Sequence, residues 1–377
     1  IFFFFFICLA TLWLLLYLFQ GMKRLTPLKF FIFYIWAISS FILIAVGIYI
    51  SSTNASQQCT GFPICENLFN MTIGGIFVLA HRVITALVAI ISVIVLNKTW
   101  LYYRSSLRML ISTTTAFAFF CGQILIGGLQ VTRNYPIGMV SLHSVSTALF
   151  IIALVVSVFS SKFEFGSVNA ERMTVFNDKQ RRSDFFRLNK PVIVLLLLVT
   201  TYAGMVVGGG KIPDLGLTLW TIFAGAMAAG GASAINQYID REIDQTMQRT
   251  SKRPIPSGRL QPAEALALGI VEIIFSFFIY ASFVNIVAAL LSMLGMIYYV
   301  FIYSLWLKHA TVQNIVIGGG AGAIPPLVGW AAVTGSLNIP SMFLFALVFL
   351  WTPPHFWALA IVRKNDYARA NVPMLPV

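Results

Sequence analysis

The sequence predicts an all-α, polytopic membrane protein with about eleven transmembrane helices in two helical bundles, and three observations support this fold class. The 377 residues are 59% hydrophobic and only 10% charged, and the mean hydropathy is +0.87. Apolar runs recur along the chain, and each is long enough to cross the hydrocarbon core of a bilayer as a helix. A polar stretch at 161–190 separates the first five runs from the last six.

The predicted spans cover 1–20, 30–50, 73–96, 110–130, 139–160, 192–210, 215–235, 263–283, 285–305, 312–333 and 340–362. The first span lacks the basic segment and the cleavage site of a signal peptide, so we expect a spanning helix there. Because the chain begins with Ile1 rather than Met and stops soon after a charged loop, we expect a fragment that is truncated at both ends.

The formal net charge of +13 would suggest nucleic-acid binding in a soluble protein, but here the basic residues occupy loops between predicted helices. The loops rich in Lys and Arg lie at 23–29, 98–108, 181–190, 249–259 and 363–369. Alternation of the helices places all five on one side, and an excess of Lys and Arg marks cytoplasmic loops. The charge therefore predicts topology in a lipid bilayer and no nucleic-acid partner.

Cys59 and Cys65 lie in the loop 51–72, which the same alternation places outside the cytoplasm. An oxidising compartment favours a structural disulfide between them. A redox-active pair and two unpaired thiols are the alternatives.

Polar residues divide the chain into a membrane domain at 1–160, a cytoplasmic linker at 161–190 and a second membrane domain at 191–377. Such a boundary is typical, because domain boundaries usually lie in exposed polar segments. In the first domain the few ionisable groups at membrane depth are mostly histidines. In the second, carboxylates gather at cytoplasmic helix ends, and this contrast predicts two different chemistries.

Three oxygen-bearing side chains follow the span 215–235 at intervals of four residues: Asn236, Asp240 and Asp244. If the helix continues through them, they form a single row on one face. Mg²⁺ prefers oxygen ligands and completes its shell with water and substrate phosphates. A solvated helix end is the alternative, but two aspartates at this spacing repel unless a cation lies between them. The row therefore predicts a magnesium site.

Other polar residues lie near this row on the predicted cytoplasmic side. A basic loop follows it, with Arg249 and Arg253 suited to hold a diphosphate. A second polar cluster, with Asp366 and Tyr367, follows the last span. Two polar clusters at the aqueous end of an apolar helical bundle fit a prenyl diphosphate, which has a charged head and a long apolar tail. Magnesium and basic side chains would stabilise the departing diphosphate. The apolar pocket would shield the resulting allylic cation from water.

The motif Asn236-x3-Asp240-x3-Asp244-x2-Met247-x-Arg249-Thr250-x2-Arg253-Pro254 resembles the first signature of the intramembrane UbiA-type prenyltransferases. More narrowly, the domain is similar to the haem O synthases, the protohaem IX farnesyltransferases. Further matches follow in family order, at Lys190-Pro191, Tyr303 to Lys308, 314–326, 351–357, and Asp366-Tyr367 through 373–376.

This resemblance implies a role for each matching residue. Magnesium would be bound by Asp240 and Asp244, with Asn236 in support. Lys308 and Asp366 would complete the catalytic site. The remaining substrate-binding residues would be Arg249, Arg253, Lys190 and Tyr367. The implied reaction transfers a farnesyl group from farnesyl diphosphate to the 2-vinyl group of haem b.

The first domain has His81 in the span 73–96 and His143 in the span 139–160, at similar depth. Two histidines from different helices of a bundle can ligate one haem iron from opposite faces. Arg82 could then meet a haem propionate. Two unrelated polar residues that hydrogen-bond inside the bundle are the alternative, and the spacing favours neither.

The loop Cys59-x5-Cys65, the pair His81-Arg82, the run 123–128 and the pair Leu142-His143 together resemble one four-helix half of haem A synthase. The resemblance implies that 21–160 is the second, cofactor-holding half, that 1–20 ends a preceding half, and that His81 and His143 bind haem b. The reactive half of that family carries a glutamate before its first histidine, and 76–80 has no carboxylate.

The leading hypothesis is therefore a haem O synthase fused to a haem A synthase-like domain, acting in haem A biosynthesis for cytochrome oxidase. Its cofactors would be Mg²⁺ and haem b, and we expect it in the bacterial plasma membrane with the prenyltransferase site facing the cytoplasm. Homo-oligomers and partners from the haem pathway remain open. One alternative is a UbiA-type enzyme with another aromatic or tetrapyrrole acceptor, and another is a non-enzymatic haem-binding membrane protein.

Overall fold

The computed structural model describes residues 27–59, 61–65, 71–133, 136–164, 179–370 and 372–373. Within these residues ten helices are long and apolar enough to cross a membrane, and no strand occurs. The predicted fold class, an all-α integral membrane protein, is confirmed. The predicted span at 1–20 lies outside the described residues. The chain folds into two units, Ile1–Met173 and Thr174–Val377.

The described part of the first unit contains four long helices: α1 at Pro27–Ser52, α2 at Ile73–Tyr102, α3 at Leu107–Thr132 and α4 at Ile137–Glu164. α3 packs along α4, while α1 packs against α2 and α4. Trp36 and Phe150 are among the fully buried side chains. The indole N–H of Trp36 donates to Ser92 Oγ at 2.7 Å, so this buried polar group has a partner.

The described part of the connection between α1 and α2 packs against both helices. It contains a short 3₁₀ helix at Ala55–Gln58, and Cys59 and Cys65 form a disulfide. Both cysteines are buried in an apolar cluster with Ile50 and Val78.

Apart from the three-residue helix Lys308–Ala310, the described α-helices of the second unit are α5 at Lys179–Leu188, α6 at Pro191–Gly209, α7 at Leu215–Ile239, α8 at Ile243–Thr246, α9 at Pro262–Ile279, α10 at Ile286–Ile297, α11 at Asn314–Gly318, α12 at Gly320–Thr334, α13 at Ile339–Val362 and α14 at Lys364–Arg369. α9 ends in a π-helical turn at Tyr280–Val284, and α10 continues as a longer π-helix at Tyr298–Leu307. α7 packs along α9, and α12 packs against both α6 and α13.

A close helix crossing in this unit lies between α6 and α12. A Cβ atom at Gly329 would lie 1.8 Å from Thr201 O, and one at Gly204 would lie 2.2 Å from Pro326 O. The two backbones are therefore in direct contact at positions where only glycine fits, as is common where membrane helices cross closely.

Residues 179–190 of the predicted linker belong to the second unit, because α5 is docked on it. Arg181 and Asp184 are buried: Arg181 forms an ion pair with Glu264, and Arg259 donates to both carboxylate oxygens of Asp184 at 2.8 and 3.1 Å. Leu188 packs in an apolar cluster that includes Ala234, Ile255, Leu260 and Ala265. The polar composition of this segment thus reflects buried ion pairs as well as solvent exposure.

Candidate active site

Asn236, Asp240 and Asp244 are not on one continuous helix, which corrects the expectation of a single helical row. α7 ends at Ile239, Asp240 is its C-terminal cap with ψ near 0°, and α8 begins at Ile243. The i→i−4 bonds persist, because Asp240 N–H donates to Asn236 O at 2.9 Å and Asp244 N–H donates to Asp240 O at 2.8 Å. The chain bends at an aspartate, a residue type that competes for backbone hydrogen bonds and favours helix ends. All three side chains are nevertheless buried.

A chain of short polar contacts runs through Asn236 and Asp240. Lys190 Nζ donates to Asn236 Oδ1 at 2.8 Å, and Asn236 Nδ2 donates to Asp240 Oδ2 at 2.8 Å. Lys308 Nζ lies 2.6 Å from the same Asp240 oxygen. Lys190, which lies 46 positions before Asn236, therefore belongs to the same polar network as Lys308, which contacts the Asp240 carboxylate.

The π-helix at Tyr298–Leu307 supplies a further part of this site. Ser304 Oγ accepts a hydrogen bond from Asn236 Nδ2 at 3.1 Å and donates to Tyr299 O at 2.9 Å. The rings of Tyr299 and Tyr303 stack with centroids 5.9 Å apart, and both hydroxyls are close enough to Asp240 to interact with its charge. π-helical segments are often found at functional sites. This one places Ser304 against Asn236 and the two tyrosines near Asp240, and Lys308 follows directly after it.

The basic loop bends around Asp244. Arg253 Nη1 lies 2.6 Å from Asp244 Oδ2, and Thr250 Oγ1 donates to the Asp244 carbonyl at 3.0 Å. Arg249 is exposed to solvent. One guanidinium is thus already engaged by a carboxylate, while the other is accessible to a ligand.

The second polar cluster reaches the same loop through Asp366. This buried carboxylate accepts the Gln248 backbone N–H at 3.4 Å and pairs with Arg369. Burial opposes ionisation of Asp366, but the bonds from Arg369 and Gln248 and the charge of Arg363 outweigh it, so the pKa of this carboxyl is lowered. Tyr367 packs near Tyr303.

Lys190, at the start of α6, has an uncommon backbone conformation and an ammonium group with a lowered pKa. Its φ of 47° lies in the left-handed region, where residues other than glycine are uncommon. Burial lowers the pKa of its ammonium to about 7, and nearby Arg253 and Lys308 act in the same direction against the carboxylates of Asp240 and Asp244. Its charge therefore depends on pH in the neutral range.

The donor set fits a magnesium ion that also binds phosphate. Within the described residues, no three His, Cys, Asp or Glu side chains lie close enough to hold a metal by themselves. Asp240 Oδ1, however, is buried and has no hydrogen-bond partner, while Oδ2 is bound by Lys308 and Asn236. Mg²⁺ is usually held by one or two carboxylates together with water and substrate phosphates, which matches one free oxygen of Asp240 beside Asp244.

The first unit brings its two predicted haem ligands close together. His81 on α2 and His143 on α4 interact electrostatically, and the Nδ1 atom of each is buried without a hydrogen-bond partner. Glycines lie against both rings: a Cβ atom would be 3.1 Å from His81 Cε1 at Gly47 and 3.5 Å from His143 Cε1 at Gly127. Two imidazoles with unused nitrogens are a donor set that suits haem iron.

Arg82 contacts the disulfide loop. Its guanidinium donates to Pro63 O at 3.2 Å and lies 5.8 Å from the centroid of the Phe62 ring. Phe62 in turn packs on α3, where a Cβ atom at Gly128 would be 3.1 Å from the ring. Arg82 therefore holds the loop between Cys59 and Cys65 against α2 through these contacts. The sequence did not suggest this role.

The sequence did not identify three polar residues of the second unit that take part in these contacts: Asn189, Glu272 and Ser304. Asn189 Nδ2 donates to Glu272 Oε1 at 2.7 Å. Glu272 is an exception to the expectation that carboxylates gather at helix ends, because it lies near the middle of the candidate span Pro262–Val284. A lone carboxylate in an apolar span is itself a signal of function, and it could have been found from the sequence. Ser304 gives no comparable signal.

Comparison with protein families matches residues 197–377 to the model of the UbiA prenyltransferase family. A protein named "Protoheme IX farnesyltransferase" from Roseiflexus sp. (strain RS-1) is 56% identical over 194 residues, which are 52% of this chain and 36% of that protein. One of the same name from Symbiobacterium thermophilum is 54% identical over 194 residues, which are 52% of this chain and 65% of that protein.

A third relative extends the similarity into the first unit. The "Protoheme IX farnesyltransferase" of Roseiflexus castenholzii is 40% identical over 358 residues, which are 89% of this chain and 66% of that protein. Because Thr174–Val377 makes up just over half of the chain, this alignment must include most of the first unit. The chain spans 36% to 66% of the length of these three relatives. No solved structure matched the chain.

Proposed function

We propose that this membrane protein, whose residues 197–377 carry a UbiA prenyltransferase domain, transfers a farnesyl group from farnesyl diphosphate to the 2-vinyl group of haem b, the reaction of a haem O synthase. The names of its relatives support this substrate pair. The observation that carries the proposal is the buried network at Asp240, where Lys308 contacts the carboxylate, Lys190 reaches it through Asn236, and one carboxylate oxygen stays unused.

Magnesium is the metal that we propose for this site, held by Asp240 and Asp244 with Asn236 in support. When bound, it would supply positive charge against the diphosphate leaving group. The unpartnered Asp240 Oδ1 supports this assignment, because a buried carboxylate oxygen without a donor is costly unless a ligand completes it.

The protein's own cations would bind the diphosphate. Lys190, Lys308 and Arg253 now contact Asn236 or the two aspartates, and phosphate oxygens would compete for their N–H groups. Exposed Arg249 would meet the same anion. The substrate would therefore replace contacts that hold the site together in its absence.

The aromatic and apolar surroundings would serve the carbon part of the substrate. The stacked rings of Tyr299 and Tyr303 lie beside Asp240, and the negative faces of such rings attract cations. An allylic cation formed there would be stabilised by the rings and kept from water by the helices around it.

We further infer that the first unit binds haem b through His81 and His143, as the resemblance to half of a haem A synthase implies. The unpartnered ring nitrogens and the glycines against each ring support this. Haem bound there would be a cofactor of the first unit, distinct from the haem b that the second unit modifies.

The location that we propose is the bacterial plasma membrane, with the prenyltransferase site on the cytoplasmic side. The Lys/Arg-rich loops support this orientation, because positive loops face the cytoplasm. The site lies at the C-terminal ends of α7 and of the π-helix and in the basic loop 249–259. The excess of Lys and Arg in this loop supports a cytoplasmic position for the site.

The test is mass spectrometry of haem extracted after the full-length protein is incubated with haem b, farnesyl diphosphate and Mg²⁺. We expect farnesylated haem from the wild type and from Glu242→Gln, because the Glu242 side chain is 81% exposed and lies outside the network. Asp240→Asn should lower the rate at least about 100-fold, because it weakens the proposed magnesium site that would stabilise the leaving diphosphate.

Two results would favour the alternatives. Release of diphosphate without haem modification, together with prenylation of another aromatic or tetrapyrrole, would identify a UbiA-type enzyme with a different acceptor. Haem binding with no release of diphosphate by any variant would identify a non-enzymatic haem-binding protein.

A further inference from the structure

A second polar pair joins Asn189, the residue before Lys190, to Glu272. Glu272 on α9 accepts the Asn189 Nδ2–H group on Oε1 at 2.7 Å. The other oxygen of each side chain, Glu272 Oε2 and Asn189 Oδ1, is buried and has no hydrogen-bond partner. Two acceptors are thus left without a donor on a pair that is already joined by one short hydrogen bond.

The surroundings of Glu272 offer no charge to balance an ionised carboxylate. Among the described residues, no Lys, Arg or His lies within ion-pair distance of it. A buried, unpaired carboxylate with an unsatisfied oxygen is strongly unfavourable in an apolar environment.

A single proton would satisfy both orphaned atoms. A protonated carboxyl group has one O–H donor and keeps its carbonyl as an acceptor. With the proton on Oε2, Glu272 could donate to Asn189 Oδ1 while Oε1 still accepts from Nδ2. The pair would then be a neutral ring of two antiparallel hydrogen bonds between an acid and an amide.

The helix packing makes room for this pair. Gly230 and Gly231 on α7 lie against it: a Cβ atom would be 3.0 Å from Asn189 Cγ at Gly230 and 3.1 Å from Glu272 Cβ at Gly231. Any larger side chain at Gly230 would push the amide away. The two adjacent glycines therefore let α7 approach both partners.

The pair also explains how Lys190 keeps its left-handed backbone. Asn189, the preceding residue, is held by Glu272, and Lys190 itself is held by Asn236. These two side-chain contacts fix the turn between α5 and α6 from both sides. Strained conformations at functional sites persist only where the surroundings over-determine them.

We propose that Glu272 is protonated in the folded protein and that its acid–amide pair with Asn189 is a positioning device that holds Lys190 against Asn236. The effect on catalysis rests on the proposed function, in which Lys190 meets the diphosphate, whereas the protonation state does not. Glu272 is then a positioning residue, neither a base nor a metal ligand.

The protonation state can be measured by infrared difference spectroscopy on the full-length protein in lipid nanodiscs, wild type against Glu272→Gln at pH 7. We expect a C=O stretching band of a protonated carboxylic acid in the wild type that shifts in D₂O and is lost in the variant. In Asn189→Ala the band should move to higher frequency, because the acid loses its amide partner. Loss of carboxylate bands instead would overturn the proposal, whether or not the protein is a transferase.

The positioning role is tested by steady-state kinetics with the allylic diphosphate. Glutamine can place an amide N–H donor and a carbonyl acceptor where the protonated acid has its O–H and its carbonyl. Glu272→Gln should therefore stay within about threefold of wild-type kcat/KM. Glu272→Ala and Asn189→Ala should each lower kcat/KM about tenfold, mainly through KM, because Lys190 is no longer held in place. A loss in Glu272→Gln as large as that in Glu272→Ala would show that the carboxylate itself is needed and would overturn the proposal. If Glu272→Ala fails to fold, Asn189→Ala and Glu272→Gln still decide between these outcomes.

Discussion

The polar sites of the two units differ in how their groups are satisfied among apolar helices. In the second unit, Asp240 contacts Lys308 and Asn236, and Asn236 contacts Lys190. In the first unit, His81 and His143 each keep a buried ring nitrogen without a partner. A buried charge requires a counter-charge, whereas a neutral imidazole does not.

The difference shows which site is held together by its own contacts and which is open to a ligand. Apart from Asp240 Oδ1, the charged network is bonded internally, so an anionic ligand must compete with existing ion pairs. The Nδ1 atoms of His81 and His143 have no hydrogen-bond partners, so a ligand can bind them without breaking an existing bond. Substitutions should therefore affect the stability of the two sites very differently.

The largest effect on stability is expected from Lys308→Met, which leaves Asp240 buried without its cation. The side chains are 13% and 5% exposed, and breaking such a buried pair costs about 3 kcal/mol. The midpoint of thermal unfolding of the ligand-free protein should fall accordingly.

The matched control is the double variant Lys308→Met with Asp240→Asn. It leaves no lone charge, so it should regain most of the lost stability, while the proposed transferase activity should remain at least about 100-fold below that of the wild type. A double variant as unstable as Lys308→Met would show that the ion pair is not what the two residues contribute.

The next prediction concerns substrate binding, which should depend on pH through the charge of Lys190. Because its pKa is about 7 in the folded protein, its charge is lost as pH rises through 7. The KM for the diphosphate substrate should therefore rise about tenfold between pH 6 and pH 8. Lys190→Arg stays charged in this range, so its KM should be nearly independent of pH.

The stability of the ligand-free protein should change in the opposite sense. A lysine whose pKa is lowered by folding binds fewer protons in the folded state, so its contribution to stability rises with pH between about 7 and about 10.4. If binding and stability both decrease with rising pH, Lys190 is not the group that titrates.

The smallest effect on stability is expected in the first unit, from His81→Leu. It removes only a hydrogen bond to the backbone of Leu43, so the haem-free protein should lose no more than about 1 kcal/mol. The same variant should lose the absorption spectrum of haem with two histidine ligands. His309→Leu, at an exposed position, should change neither the stability of the haem-free protein nor the haem absorption spectrum. Retention of the spectrum in His81→Leu would remove the basis for a haem site here.

Much of the architecture could be read from local sequence. Hydrophobic runs predict spanning helices because the cost of exposing apolar side chains depends on composition and length alone. Ten of the eleven predicted spans correspond to candidate spans in the described residues, and the eleventh lies outside them. The spacing of Asn236, Asp240 and Asp244 likewise indicated a shared site, although the helix ends at Ile239.

The sequence by itself determined that this protein is a membrane-embedded helical protein with a carboxylate motif in one part and histidines in the other. Only the tertiary structure decided which cation meets which carboxylate, that α5 belongs to the second unit, and that Glu272 faces Asn189. Helix formation follows from local composition. The partner of a buried polar group depends on which residues distant in sequence the packing brings within hydrogen-bond reach, and no local pattern encodes that choice.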